Sequence, residues 1–506
     1  MALWLRKCGI EFRIIDKNES PIKNSGALLL HARTLEFYRQ LDIIDEVIAA
    51  GKPVSEIKFY YFKNSSTTIE LYDPFKSRSP YPALYFLSQD THERILTNKL
   101  KSLNINIERK VELKTFTQNK FQVESVVKSS KGEEIITSTY LCACDGDDSL
   151  IRRILGVKFF RRSFHRSFFL ADSAATATDD KNKISVYLSR QNASIVQPLT
   201  GKNELRIMGI VPPDSENKEN LSFVNIADEV TAGSQLHVDE ISWFTVYKVI
   251  ERIASHIRQG RTFLIGGAGH THSPAFSHGM NAGIGDAINL AWKLNCVLKG
   301  QTSSKILLTF ETERIAFAEK LNRYSDHLFH FISGRSFLGG LCRSFVIPLS
   351  VKMFRNFRFF RNIFSKFFSQ SSVNYRESLL SDGSTGKIRA GDRLPWLKTD
   401  TFDNYTSLNG LEWHIQIYGR VHSNFNSVAN FRGFRIYEFE WGVMAEEAGF
   451  AKDAFYLVRP DGHIALCDLQ QNPSVLKQYL NEWDIDYSQK LKSELTAEKF
   501  QPENLI

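Results

Sequence analysis

No uninterrupted apolar run in the 506 residues approaches the ~18 needed to cross a bilayer, and the opening MALWL is too short for a signal-peptide core. Cysteine is sparse, at 8, 142, 144, 296, 342 and 467, with no CxxC pair and no metal-ligand spacing to histidine. Such usage gives no zinc motif and suits a reducing, cytoplasmic setting. Cys142 and Cys144 flank Ala143 in an apolar strand, so alternation puts both on one face as small buried hydrophobes. Acid is missing altogether from residues 327–376, where Arg335, Arg343, Lys352, Arg355, Arg358, Arg361, Lys366 and Arg376 stand among phenylalanines. On a helical wheel Met353, Phe357, Phe360, Phe364 and Phe368 share one side, while Arg355, Arg358 and Lys366 face away. This is the pattern of a basic amphipathic helix. Packing of the phenylalanine side on neighbouring protein is favoured over peripheral contact with a membrane surface, because so much exposed phenylalanine is an aggregation hazard.

What is present is ordinary globular material. Hydrophobic residues make up 42% and charged residues 24%, enough chain for about three domains. The formal charge of +8 is spread over helices and strands as a solvated surface, with no patch that argues for nucleic acid. FRIID, EIKFYYF, ALYFLSQ, FQVESVVK and YLCACDG read as strands, and HARTLEFYRQLDIIDEVIAAG as one amphipathic helix. Between about 161 and 258 the strands lengthen and alternate (ISVYLSR, SIVQPL, LRIMGIVPP), which predicts a mixed or antiparallel layer. The polar run 369–386 reads as a linker.

The richest segment is GGAGHTHSPAFSHGMNAGIGDAINLAWKL, from Gly266 to Leu294, preceded by the strand-like RTFLI. Glycines 279, 283 and 285 let backbone approach a ligand, and the helix that follows directs its first N–H groups at it. With Asp145, Gly146, Ser149 and Arg152 in CDGDDSLIRRILG, Arg33 in HARTLEF, Gln89 in FLSQDTHERIL, and GDRLPW and YLVRPDGHIAL near the C-terminus, the chain resembles the class A flavoprotein monooxygenases, the phenol hydroxylase and para-hydroxybenzoate hydroxylase family.

The resemblance implies an α/β fold with a Rossmann-like FAD-binding domain (1–57, 85–160 and 259–330) and a β substrate domain (58–84 and 161–258). A basic helical segment and linker (331–384) and a thioredoxin-like C-terminal domain (385–506) follow. It further implies hydroxylation of a phenolic or other aromatic small molecule through a flavin hydroperoxide, with FAD as cofactor, NADPH or NADH as co-substrate, O2 as oxidant, and a homodimer as one home for the phenylalanine side. Asp16 stands where the family binds the adenosine ribose. Arg33, Gln89, Asp145, Gly146, Gly267, Pro274, Gly279, Met280 and Asn281 fall at flavin contacts, with Pro274 shaping the turn and Met280 and Asn281 offering N–H groups to the pyrimidine carbonyl. No catalytic residue is assigned. His270, His272 and His278 crowd the loop, and a packing role is favoured over a metal.

Two departures stand out. The family opens with a strand and GxGxxG, whereas MALWLRKCGIEFRIIDK reads as the second half of the first helix, a Gly9 turn and the second strand. A chain starting there is expected to hold FAD weakly or not at all. Gly267 occupies the place of the family's ribityl-binding aspartate, and Phe276, Ser277 and His278 replace Gly, Gly and Gln. An aspartate restored at 267 is expected to recover a hydrogen bond of about 1.5 to 3 kcal/mol. The competing reading is a degenerate flavin-fold protein without monooxygenase activity that serves as a binding or regulatory partner. Halogenation lacks the WxWxIP element of that chemistry.

Overall fold

The structure is a computed structural model that describes residues 1–21, 29–61, 65–70, 79–81, 84–174, 183–188, 193–199, 204–212, 215, 221–227, 240–272, 278–333, 349–351, 353 and 373–488. Phe357, Phe360, Phe364 and Phe368, the basic residues paired with them on the helical wheel, Pro274, Phe276 and Ser277 lie outside the described residues. No helix among the described residues is long and apolar enough to cross a membrane.

Helix α1 (Ala2–Lys7) buries Leu3, Trp4 and Leu5, and Gly9 at φ +72° turns the chain toward strand β1 (Ile15–Asp16). A side chain resists that left-handed conformation, whereas glycine adopts it freely. The apolar run from His31 is two helices, α2 (Ala32–Gln40) and α3 (Ile44–Ala50), not one, because Asp42 takes φ +54° between them. Strands β2 (Leu29–Leu30), β3 (Lys52–Val54) and β6 (Leu84–Phe86) form a small sheet in the order β2-β6-β3, and α4 (Gln89–Ser102) follows it. β4 (Glu56–Tyr61) and β5 (Ser65–Glu70) depart to a larger sheet. β7 (Glu108–Arg109) pairs in parallel with β1, and β8 (Glu112–Gln118), β9 (Val123–Ser129) and β10 (Gly132–Ser138) form a meander.

β11 (Leu141–Ala143) and β18 (Thr262–Leu264) are parallel, with β17 (Arg258–Gln259) beyond, and among the described residues this sheet is not hydrogen-bonded to β1–β7. β11 is therefore an edge. That corrects the expectation for the cysteines, since Cys142 is half-buried and Cys144 exposed.

The alternating segments form one eight-stranded sheet. β12 (Phe159–Ala174), β13 (Lys183–Leu188), β14 (Ala193–Pro198), β15 (Glu204–Ile210), β16 (Glu240–Ala254) and β19 (His270–Thr271) join β4 and β5 in the order β19-β16-β12-β15-β14-β13-β4-β5, antiparallel except where β13 meets β4. One face packs Phe169, Ala171 and Ile207 under Phe223 and Ile226. The other packs Ile57 and Ile184 on Leu29, Leu84 and Phe86 of the small sheet.

Three helices and the tail complete the body: α5 (Leu150–Ile154), α6 (His278–Leu298) and α7 (Leu308–Ser333). The tail sheet runs β20-β24-β23-β21-β22, from β20 (Asp382–Gly383), β21 (His414–Tyr418), β22 (Arg435–Phe439), β23 (Phe455–Val458) and β24 (Ile464–Asp468). Helix α8 (Ser423–Phe431) joins the parallel pair β21 and β22, and α9 (Val443–Ala448) and α10 (Pro473–Glu482) flank it. The expected linker is structural from Tyr375 onward. Tyr375 and Leu380 are buried, and β20 pairs with β24, so backbone groups in the polar run are satisfied inside the tail sheet.

The tail and the body share one apolar core, in which Trp292 meets Trp413 edge-on at 5.6 Å. A buried charge cluster crosses the same junction. Arg459 donates to both Glu313 oxygens at 2.7 and 3.0 Å and to Asp461 at 2.6 Å. Lys293 and Asn289 reach Glu313 Oε2 at 2.9 and 2.7 Å, and Trp292 Nε1 donates to Asp461 at 3.1 Å. Burial opposes ionisation of Glu313, yet Arg459 and Lys293 prevail and hold it down at about 2.

Removing one partner from such a cluster strands the rest in low dielectric. Glu313→Ala is expected to cost about 3 to 5 kcal/mol, with body and tail still unfolding together in urea. A loss well under 1 kcal/mol would refute the network's role. Burial also pushes His92, against Tyr38, and His414, in the tail, down to about 4. A histidine lowered on folding costs nothing above its unfolded value near 6.5, and loses stability as pH falls because only the unfolded chain takes up the proton. The histidine contribution should therefore be flat above pH ~6.5 and make stability fall toward pH ~4 by up to about 1.4 kcal/mol per unit for each such histidine. Urea midpoints across that range, repeated with His414→Gln, check it; an unchanged acid slope in the variant would count against the assignment.

Candidate functional site

Two loops and one helix end build the site. After β11 the chain passes Asp145 and Gly146, the latter at φ +78°, and enters α5. Ser149 caps α5 by accepting from Arg152 N–H at 3.0 Å, and Asp145 accepts from Ile151 N–H at 3.2 Å. Arg152 in turn donates to the carbonyls of Asp147 at 2.7 Å and Ala268 at 3.0 Å while lying 3.9 Å from the Phe159 ring. The second motif is thereby tied to the glycine loop that follows β18.

That loop turns at Gly266, φ +57°, and lies against α6 so closely that a Cβ on Gly266 would come within 3.4 Å of the Gly283 Cα. Gly283 was expected to let backbone approach a ligand; here its close neighbour is the protein backbone at Gly266. At Gly285 a Cβ would meet the Arg314 guanidinium at 3.2 Å. Gly279 and Gly146 differ, since no atom of the described residues lies within 4 Å of where their Cβ atoms would be. Both leave open room beside main chain. The first turn of α6 also directs N–H groups outward, as any helix start does.

Asp286 locks this geometry, and only its presence in the motif marked it beforehand. Its carboxylate accepts from Gly266 N–H at 2.9 Å, His270 Nε2 at 2.7 Å and Arg314 Nε at 2.5 Å. Burial would raise its pKa, but His270 and Arg314 outweigh that and hold it well below the usual carboxylate range. His270 therefore packs the loop as expected. His272 continues the chain to Asn322, and burial, reinforced by His270, keeps it neutral at about 3.

Asn281 fastens α6 to the body. Its Oδ1 accepts from His31 N–H at 3.0 Å and the Thr34 hydroxyl at 2.6 Å, and its Nδ2 donates to Leu29 O at 2.8 Å. The side chain thus positions the helix start, which leaves main chain at Met280 and Asn281 as the group to present. Arg33 is not turned to this cleft. Buried in α2, it pairs with Glu36 at 2.8 Å and donates to the Asp461 carbonyl of the tail. Arg393 of the tail completes that cluster on Glu36. Gln89 heads α4, and Asp16 ends β1 with its carboxylate 2.5 Å from Arg109 and accepting from Asn18 N–H.

Gly267 bears on the expectation of a restored aspartate, because its surroundings are tight, although Asp147 itself is exposed and can swing aside. A Cβ there would overlap the Asp147 carboxylate and sit 3.2 Å from both Asp147 N and Gly146 Cα. The space is already filled, so an aspartate at 267 displaces Asp147 and crowds backbone. Gly267→Asp should cost about 1 to 3 kcal/mol by overpacking and should not tighten FAD, with part of the loss relieved in an Asp147→Ala background. Urea unfolding and FAD titration of the variants decide it; a stable Gly267→Asp protein that binds FAD tenfold more tightly would contradict the steric account.

Similarity to known proteins follows the same elements. 6-methylpretetramide 4-monooxygenase of Streptomyces rimosus is 30% identical over 336 residues, covering 63% of this chain and 58% of that protein. Pentachlorophenol 4-monooxygenase of Sphingobium chlorophenolicum is 25% identical over 402 residues, covering 77% and 72%. The chain spans less than two thirds of the first relative's length. Among solved structures, the flavin-dependent monooxygenase PieE with FAD and substrate aligns at TM-score 0.76 and 18% identity over 95% and 96% of the two chains. Aklavinone-11 hydroxylase with FAD and aklavinone gives 0.76 and 19% over 95% of each, so the fold is shared nearly end to end. The family model described as FAD binding domain matches residues 1–325, which contain both loops and the helix they meet, and the chain belongs to that family of flavoprotein aromatic monooxygenases.

Proposed function

We propose that this chain binds FAD and, with NADPH or NADH and O2, hydroxylates an aromatic small molecule. The observation that carries the reading is the Gly266 loop, clamped by Asp286 to α6 so that main chain at Gly279 and Gly146 borders open room. Those elements would hold the isoalloxazine and ribityl parts, and Asp16 the adenosine ribose. FAD, when bound, supplies the redox chemistry and the activation of oxygen. The chain's own residues position and enclose. Asn281 fixes the helix start, Arg152 fixes the two loops, and the apolar sheet face that packs on Leu29 gives an aromatic ring a dry surface beside them. Tyr247 on that face is no base at neutral pH, because burial pushes its phenol up.

The tail is read as thioredoxin-like, from the parallel β21–β22 pair joined through α8 and extended by antiparallel β23 and β24. Its single cysteine, Cys467, is buried, so it contributes packing and the Glu313 cluster, with no dithiol chemistry. A cytoplasmic enzyme, alone or as a homodimer, fits this reading. The non-catalytic alternative draws on Gly267 and on Arg33 being committed to the tail.

FAD titration of the purified chain separates these. Against the weak or absent binding expected from the sequence, the proposal expects saturable FAD binding, NADPH or NADH oxidation stimulated by a phenolic substrate, and label from isotopic O2 in the product. FAD binding without NAD(P)H oxidation would favour the binding partner, and absence of FAD binding would remove the cofactor reading.

A further inference from the structure

The eight-stranded sheet presents a polar row in an apolar face. Gln197, Arg206, Asp172 and Trp243 stand opposite one another across β14, β15, β12 and β16, so all four project from the same side. Two residues along each strand lies a second row, Ile195, Met208, Leu170 and Thr245, which Val186 and Phe59 extend. A third row holds Ile210, Phe168 and Tyr247. Burial along these rows is uneven. Gln197 and Arg206 in the first row, Leu170 in the second and Ile210 and Phe168 in the third are buried, whereas Phe59, Val186, Ile195, Met208 and Thr245 of the second row, with Asp172, Trp243 and Tyr247 of the outer rows, are half-buried. The accessible part of the middle row, from Phe59 through Val186 and Ile195 to Met208, is an apolar strip that ends at buried Leu170, a shallow trough beside Arg206. Its apolar end, with Phe59 and Ile195, packs beside Leu29, whose carbonyl holds Asn281 of the helix start.

Arg206 forms one wall. It is 2% exposed, and its Nε and Nη2 donate to the two Asp172 oxygens, each at 2.7 Å. Nη1 is buried with no acceptor, and the guanidinium stands 5.7 Å from the Trp243 ring. A buried donor left unsatisfied is costly and rare in a folded protein, which marks a place for an incoming acceptor. The charge of Arg206 is already balanced by Asp172. A carboxylate arriving at Nη1 would meet that aspartate's negative charge, whereas a neutral oxygen would not.

We propose that Arg206 Nη1 donates to a carbonyl oxygen of a neutral aromatic ketone or quinone lying in this trough, an assignment that rests on the reading of the chain as an aromatic hydroxylase. Phe168, Met208 and Ile195 then supply the apolar contact, and the hydrogen bond sets which edge of the ring system faces the flavin loop.

Equilibrium dialysis with three probes of similar shape tests it: acetonaphthone, isopropenylnaphthalene and naphthoate. The wild-type chain should bind the ketone about tenfold more tightly than the hydrocarbon, the scale of one hydrogen bond to a charged donor, and naphthoate no better than the ketone. Arg206→Lys should lose most of that preference. Because Arg206→Lys could unfold the sheet, the pair is also removed together as Arg206→Met with Asp172→Leu, a type of exchange that buried ion pairs tolerate. In that double variant the hydrocarbon should still bind and the ketone preference should be gone. Equal binding of ketone and hydrocarbon by the wild type, a ketone preference that survives the double variant, or tightest binding of naphthoate would each overturn the assignment. FAD binding is measured on the same samples, so an Arg206-dependent preference in a chain that takes up no FAD would sink the hydroxylase reading while leaving the oxygen-recognition site standing.

Discussion

The Asp286 carboxylate is the contact on which the site depends. A carboxylate buried this deeply is tolerable only when charge and hydrogen bonds replace water, and here they come from three separate elements: the glycine loop through Gly266, strand β19 through His270 and helix α7 through Arg314. Satisfying Asp286 therefore forces the loop, the strand and two helices into one arrangement. The Gly266–Gly283 approach is possible only because neither residue has a side chain. Farther along the same helix, Trp292 and Lys293 enter the Glu313–Arg459–Asp461 cluster. One rigid helix thus carries the cleft at its start and the tail near its end.

That layout explains why the tail belongs to the working protein. Arg33, Glu36 and Gln40 of α2 are engaged by Asp461, Arg393 and Pro460 of the tail, and α2 also supplies Thr34 to Asn281. A shift of the tail would be felt at the helix start through two hydrogen bonds and the single peptide link between Arg33 and Thr34. The eight-stranded sheet is coupled in two ways, by apolar contact of Ile57 and Ile184 with Leu29 at one end and by His270 of β19 on Asp286 at the other.

Local features were legible in the sequence. The strand before Gly266, the Gly9 turn and the alternating strands of the large sheet all follow from residue type and spacing over a few positions. What the sequence hid is long-range partnership. Glu313 and Arg459 are 146 positions apart, and nothing near either residue signals the other. Arg33 carried the right residue type for a cofactor contact, yet its partners in the tail decide where it points. Gly267 looked like a lost aspartate until Asp147, from a loop more than a hundred residues earlier, was seen to fill its space. Cys144 was expected inside because alternation gives the face of a strand, and it does not tell whether that strand has a neighbour.

The central claim is that main chain of the two loops and the start of α6 forms the flavin cleft. Amide hydrogen exchange of the chain with and without FAD tests it most directly, since it reads those N–H groups themselves. The account predicts added protection at Gly146, across Gly266–Gly269 and through the first turn of α6, with the tail sheet unchanged. Protection confined to other segments, or none at these amides while FAD is bound, would contradict it.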